Sequence, residues 1–179
     1  MFDSFNSKIN KPDIMNFKFY LLIALVFLSL SCKERIDHSQ SDKIVKSAKE
    51  RSIMEFGKDY TRAWNSQKPK NVALFFARDG SLIVNNGDPL KGRQEITEFT
   101  RGFMEAFPDL ELSMDSLVIK PKETFYHWSF NGTNSGPEGT GNKVHFSGLE
   151  RWTFDDSNLI KLSIGSFDDE NYNRQVNGL

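Results

Sequence analysis

The chain predicts an α+β domain in which a curved antiparallel sheet wraps around three N-terminal helices. Two observations carry this. Apolar residues recur at helical spacing as far as Phe107, and with a period of two from Leu110 onward. Helical segments followed by strands joined through hairpin turns pack as segregated layers, not as alternating strand–helix–strand units. Size is a third observation. About 148 residues follow Cys32, enough for one domain that buries roughly two-thirds of its surface.

The spacing predicts a first helix over residues 43–67. Ile53, Phe56, Gly57, Tyr60 and Trp64 form one continuous stripe along it. Pro69 suits the first position of a second, short helix, "PKNVALFFA", with Val72, Leu74, Phe75 and Phe76 available for the core. "DGSLIVNNGDP" reads as turn, short strand, turn. A third helix is expected over 93–107, with Ile96, Phe99, Thr100, Phe103 and Phe107 on its buried side and Pro108 ending it. Strands are expected over 110–120, 123–134, 143–154 and 158–167. "GTNSGPEGTGN" and "DDSN" supply turns, and Asn158 suits a left-handed position. "DENYNRQVNGL" closes the chain as one or two helical turns. No repeats are present.

Ahead of this domain, "MNFKFYLLIALVFLSLSC" places Lys18 before about a dozen mostly apolar residues that end in small residues and Cys32. The run is short of the roughly 20 residues that span a bilayer. Its layout is that of a lipoprotein signal peptide, with residues 1–14 an upstream extension and Met15 the expected start. Residues 1–31 then leave the mature protein. Cys32 carries lipid, 32–42 ("KERIDHSQSD" after the cysteine) form a tether, and 43–179 form the domain. The expected location is the cell envelope, anchored to the extracytoplasmic side of a membrane. With a single cysteine there is no internal disulfide and no thiolate metal site. Residues 1–31 hold three lysines and two aspartates, so 20 basic and 22 acidic residues remain, a balance that gives no argument for nucleic acid.

"AWNSQKPKNVALFFARDGSLIVNNGDPLKGRQEI" resembles the opening of SnoaL-like polyketide cyclases and ketosteroid isomerases, of the nuclear transport factor 2-like superfamily. "ARDG", "PLKGRQEI" and "AFPDLEL" are the most telling pieces. "HWSFNGTNSG", "FSGLERWTF" and "GSFDDENYNRQ" follow in the family's order, so the similarity covers about residues 50–175. The resemblance implies a cone-shaped sheet with an apolar cavity open at its wide end. It also implies a homodimer through the sheet's outer face, and no cofactor. It is poor guidance to activity, because this fold hosts isomerases, cyclases, dehydratases, hydrolases and inert binders.

Three polar residues are candidates for chemistry. Ile160, Leu162 and Ile164 share a strand face, and Asp168 has the same parity if the strand continues. The resemblance matches Asp168 to the cyclases' acid/base aspartate; the alternative is that Asp168 or Asp169 caps the last helix. Glu150 shares a face with Val144, Phe146, Gly148, Trp152 and Phe154, and a carboxyl on so apolar a row needs a partner. Glu150 and Tyr60 match the oxyanion-stabilising pair of the isomerases; the alternative is a structural hydrogen bond in the core. Val84 falls where those isomerases carry their general base, and valine cannot take a proton. Trp64, Phe103, Trp128, Phe146 and Trp152 are candidate pocket walls. His127 and His145 have the parity of the outer face, and no spacing supports a metal site. The expected partner is a small apolar molecule. It is either held without reaction or subjected to acid/base chemistry next to a carbonyl; a small hydrolase or dehydratase is a weaker rival.

Overall fold

The structure is a computed structural model and describes residues 38–179. The expected signal peptide, the expected lipidation site at Cys32 and most of the expected tether lie outside the described residues. One compact unit spans Val45–Leu179. The helices of the described residues are α1 (His38–Asn65), α2 (Pro69–Ala73), α3 (Gly92–Ala106) and α4 (Asp169–Asn177). The strands are β1 (Phe76–Val84), β2 (Leu90–Lys91), β3 (Glu111–Ile119), β4 (Thr124–Thr133), β5 (Lys143–Phe154) and β6 (Ile160–Phe167).

Helix α1 starts within the stretch expected to be tether. No glycine or proline interrupts residues 38–56, and Lys46 pairs with Glu50 one turn away at 3.9 Å. The expected stripe is real: Gly57, Tyr60 and Trp64 are buried, with Ile53 and Phe56 half-buried. Leu74 departs from expectation, being 56% exposed, because α2 ends at Ala73 and the chain turns there into β1.

The sheet is curved, unclosed and mixed, with strand order β2-β1-β6-β5-β4-β3. The expectation of a wholly antiparallel sheet is corrected at one junction: β1 and β6 run parallel. Parallel neighbours need a long crossover. Here everything from β2 to β5 separates the two strands in sequence.

Two irregularities aim side chains. In β6, Phe154 faces Ile160 but Thr153 faces Leu162, so an extra residue is inserted at Lys161. After that bulge the parity reverses. Ser163 and Gly165 are buried, while Leu162 and Ile164 are only half-buried. The expected inward row of Ile160, Leu162 and Ile164 is therefore corrected beyond Ile160. In β1 a Cβ at Gly80 would lie 2.6 Å from the Ile160 carbonyl oxygen, so the β1–β6 approach needs glycine there. At the far end of β1, Asn85 adopts φ 48° and its side-chain oxygen accepts the Phe167 N–H at 2.9 Å. Asn158 takes the left-handed conformation expected of it, φ 58°.

The core lies between the concave sheet face and the helices. Tyr60, Phe76, Ile96, Phe107, Tyr126, Trp152 and Ile160 are wholly inaccessible to solvent. Full burial of such a side chain contributes roughly 1.5–3 kcal/mol. Tyr126 and Trp152, from adjacent strands, stack with ring centroids 4.7 Å apart.

Candidate functional site

The inward rows of β4 and β5 form the floor of an aromatic cavity. Helices α1 and α3 supply Trp64, Phe99 and Phe103. Strand β4 supplies Trp128 and Phe130, β5 supplies Phe146 and Glu150, and β6 supplies Gly165, Ser166 and Phe167. Leu82, Val84 and Leu112 complete the wall. Adjacent walls meet near right angles, as Trp64 does with Phe103 (85°) and Trp128 with Phe146 (81°). The cavity volume is about 60 Å³. A dry cavity of roughly 150 Å³ is known to admit benzene. This one therefore holds a compact group of a few heavy atoms with the side chains as they stand, and a fused-ring system requires them to move.

Trp128 owes its position to a missing side chain. Its indole lies across Gly148, the residue paired with it on β5, and a Cβ there would fall 2.2 Å from Cζ2. The indole N–H groups of Trp128 and Trp64 are buried and have no hydrogen-bond partner.

Glu150 is the one ionisable side chain lining the cavity among the described residues, and it is 8% exposed. Three neutral donors converge on it. The Ser163 hydroxyl donates to Oε2 at 2.7 Å and the Trp152 indole N–H at 2.9 Å. The Tyr60 hydroxyl lies 3.2 Å from Oε2 and 3.3 Å from Oε1. Burial raises the Glu150 pKa, and the bonds from Trp152, Ser163 and Tyr60 oppose that rise. Burial, and then the neighbouring carboxyl of Glu150, push the Tyr60 hydroxyl well above its ordinary value. The Trp64 indole, close to that hydroxyl but not bonded to it, acts the other way. Tyr126 is also raised by burial, with its hydroxyl held by Thr61 at 2.7 Å.

The three polar candidates do not converge. Tyr60 and Glu150 meet as expected, but Tyr60 stands behind Glu150 and outside the cavity wall. Asp168 is a correction. The bulge in β6 removes its inward parity, and it is an exposed N-cap of α4 whose Oδ1 accepts the Asn171 N–H at 2.8 Å. Of the five expected wall residues, Trp64, Phe103, Trp128 and Phe146 line the cavity. Trp152 does not; it is fully buried and serves as a donor to Glu150. Val84 lines the cavity and offers no proton acceptor. Ser163 went unexpected, because "IKLSI" reads as plain alternation that hides the bulge. His145 is exposed on the outer face, its Nδ1 2.7 Å from Asn131 Oδ1. Among the described residues no group of three or more His, Cys, Asp or Glu side chains is placed to hold a metal ion.

A curved, unclosed sheet packed over helices, with an apolar cavity and a buried carboxyl in its wall, is the nuclear transport factor 2-like fold. The chain belongs to the SnoaL-like domain family, which matches residues 58–161. Among solved structures, TsrD from Streptomyces laurentii superposes with a TM-score of 0.63 at 18% identity, covering 72% of this chain and 97% of that one. A candidate polyketide cyclase from Xanthomonas campestris pv. campestris gives 0.61 at 16%, covering 69% and 95%. A candidate SnoaL-like polyketide cyclase from Jannaschia sp. CCS1 gives 0.59 at 12%, covering 70% and 94%. At these identities the likeness establishes the fold alone. No curated protein matches the chain.

Proposed function

We propose that the protein is a ligand-binding module whose cavity holds a compact, mostly apolar small molecule that presents one polar group to Glu150. The observation that carries this is the cavity wall itself, aromatic and aliphatic throughout except for one buried carboxyl and Ser166. An apolar probe of a few heavy atoms should bind at a single site with a negative heat-capacity change, measured by calorimetry at several temperatures. Binding at many weak sites, or a heat-capacity change near zero, ends this reading.

A second reading is acid/base chemistry beside a carbonyl, and the Tyr60–Glu150 pair favours it. A neutral Glu150 can donate to a developing oxyanion. Its weakness is the missing base: Asp168 is a surface cap and Val84 cannot accept a proton. Binding without reaction is therefore the better supported of the two. Isomerisation or cyclisation of a carbonyl compound that is abolished in Glu150→Gln reverses that order.

The same proposal places the protein on a membrane surface. "LSLSC" gives Cys32 a thiol suited to acylation. Cys32→Ser should move the protein from the membrane fraction to the soluble one or leave the precursor uncleaved. An intact mass showing an unmodified Cys32 in a soluble native protein removes the anchor. The homodimer would use the outer sheet face, where Phe125, Leu149, Leu162 and Ile164 are half-buried. Sedimentation of the detergent-solubilised chain as a monomer alone removes it.

A further inference from the structure

From the cavity's composition we infer that its ligand is a small alkylammonium cation, such as the head group of a quaternary or tertiary amine. This rests on the reading of the cavity as a binding site and names the class of molecule it takes. Seven of its thirteen wall residues are aromatic, and one, Glu150, carries a carboxyl; no lysine, arginine or histidine lines it. A carboxylate held in an apolar interior is ordinarily matched by a cation, or else takes up a proton. Here every group bonded to Glu150 is a neutral donor: Tyr60, Trp152 and Ser163. Three of the four contacts crowd onto Oε2, and Oε1 accepts only the longer bond from Tyr60. The acceptor capacity of Oε1 is therefore largely unused. A cation beside Glu150 would meet a carboxylate and the negative faces of aromatic rings together, the combination that favours alkylammonium groups over hydrated metal ions. Size sets a limit: by the benzene comparison a cavity of about 60 Å³ is short of a full trimethylammonium group, so wall side chains must yield for one to enter.

The test compares choline with 3,3-dimethylbutan-1-ol, which has the same shape and hydroxyl but a carbon in place of the charged nitrogen. Both are titrated calorimetrically, at pH 8, into the full chain in detergent. Choline should bind at least tenfold tighter than the neutral compound. In Glu150→Gln, which keeps an oxygen for Trp152 and Ser163, that preference should disappear. Equal or tighter binding of the neutral compound by the wild-type protein overturns the ammonium assignment and leaves the cavity reading standing. A preference that survives Glu150→Gln overturns the assignment as well. If neither compound binds, the ammonium assignment and the binding reading fall together.

Discussion

Glu150→Ala should lower the unfolding free energy by about 3 kcal/mol or more, whereas Glu150→Gln should cost under about 1 kcal/mol at pH 5. Alanine leaves three buried donors, from Tyr60, Trp152 and Ser163, without an acceptor. Each such loss costs roughly 1–3 kcal/mol. Glutamine keeps one carbonyl oxygen for Trp152 and Ser163 and turns an N–H toward the Tyr60 oxygen. The two variants also separate by pH. Burial raises the Glu150 pKa above its value in the unfolded chain. Its contribution to stability is therefore complete below about pH 4.5 and is lost as pH rises through the folded value. The slope approaches about 1.4 kcal/mol per pH unit for one proton. Asp109, held below the usual carboxylate range by bonds from Thr133, acts with the opposite sign. The informative quantity is thus the difference between wild type and Glu150→Gln. Denaturant unfolding from pH 4 to pH 9 should show that difference shifting in favour of glutamine as pH rises. Parallel curves would mean that Glu150 ionises in the folded protein as it does in water.

Gly148→Leu should abolish binding of any probe in the cavity. The first carbon of any side chain at this position already overlaps the Trp128 ring, at 2.2 Å from Cζ2 and 2.6 Å from Cη2. Leucine adds three further carbons. The indole must swing away from the sheet, and a cavity of about 60 Å³ cannot take a displaced tryptophan and a ligand together. Overpacking of this kind costs roughly 1–3 kcal/mol, so a thermal unfolding curve establishes that the variant is folded. Trp128→Ala is the complementary change. It enlarges the cavity and should admit larger apolar probes. A folded Gly148→Leu protein with unchanged probe affinity would show that ligands bind elsewhere.

Much of this architecture was legible without coordinates. The helical stripe through Gly57, Tyr60 and Trp64 fixed which face of α1 is buried, since 3.6-residue spacing leaves one choice. The strict alternation from Val144 to Trp152 put Glu150 on an apolar inner row, and the carboxyl does stand there, partnered by Tyr60. Four of the cavity's aromatic walls follow from the same two periodicities.

Tertiary structure decided the rest. Alternation in sequence is blind to an inserted residue, so the bulge at Lys161 reversed the parity of β6, brought Ser163 inward to Glu150 and sent Asp168 out to cap α4. Pairing partners are likewise invisible in a single strand. The parallel joining of β1 to β6, at a distance only Gly80 permits, set the cavity's far wall. The volume of the cavity, and with it the size of molecule it accepts, depends on how Trp128 lies over Gly148 from the neighbouring strand, a contact that no local pattern encodes.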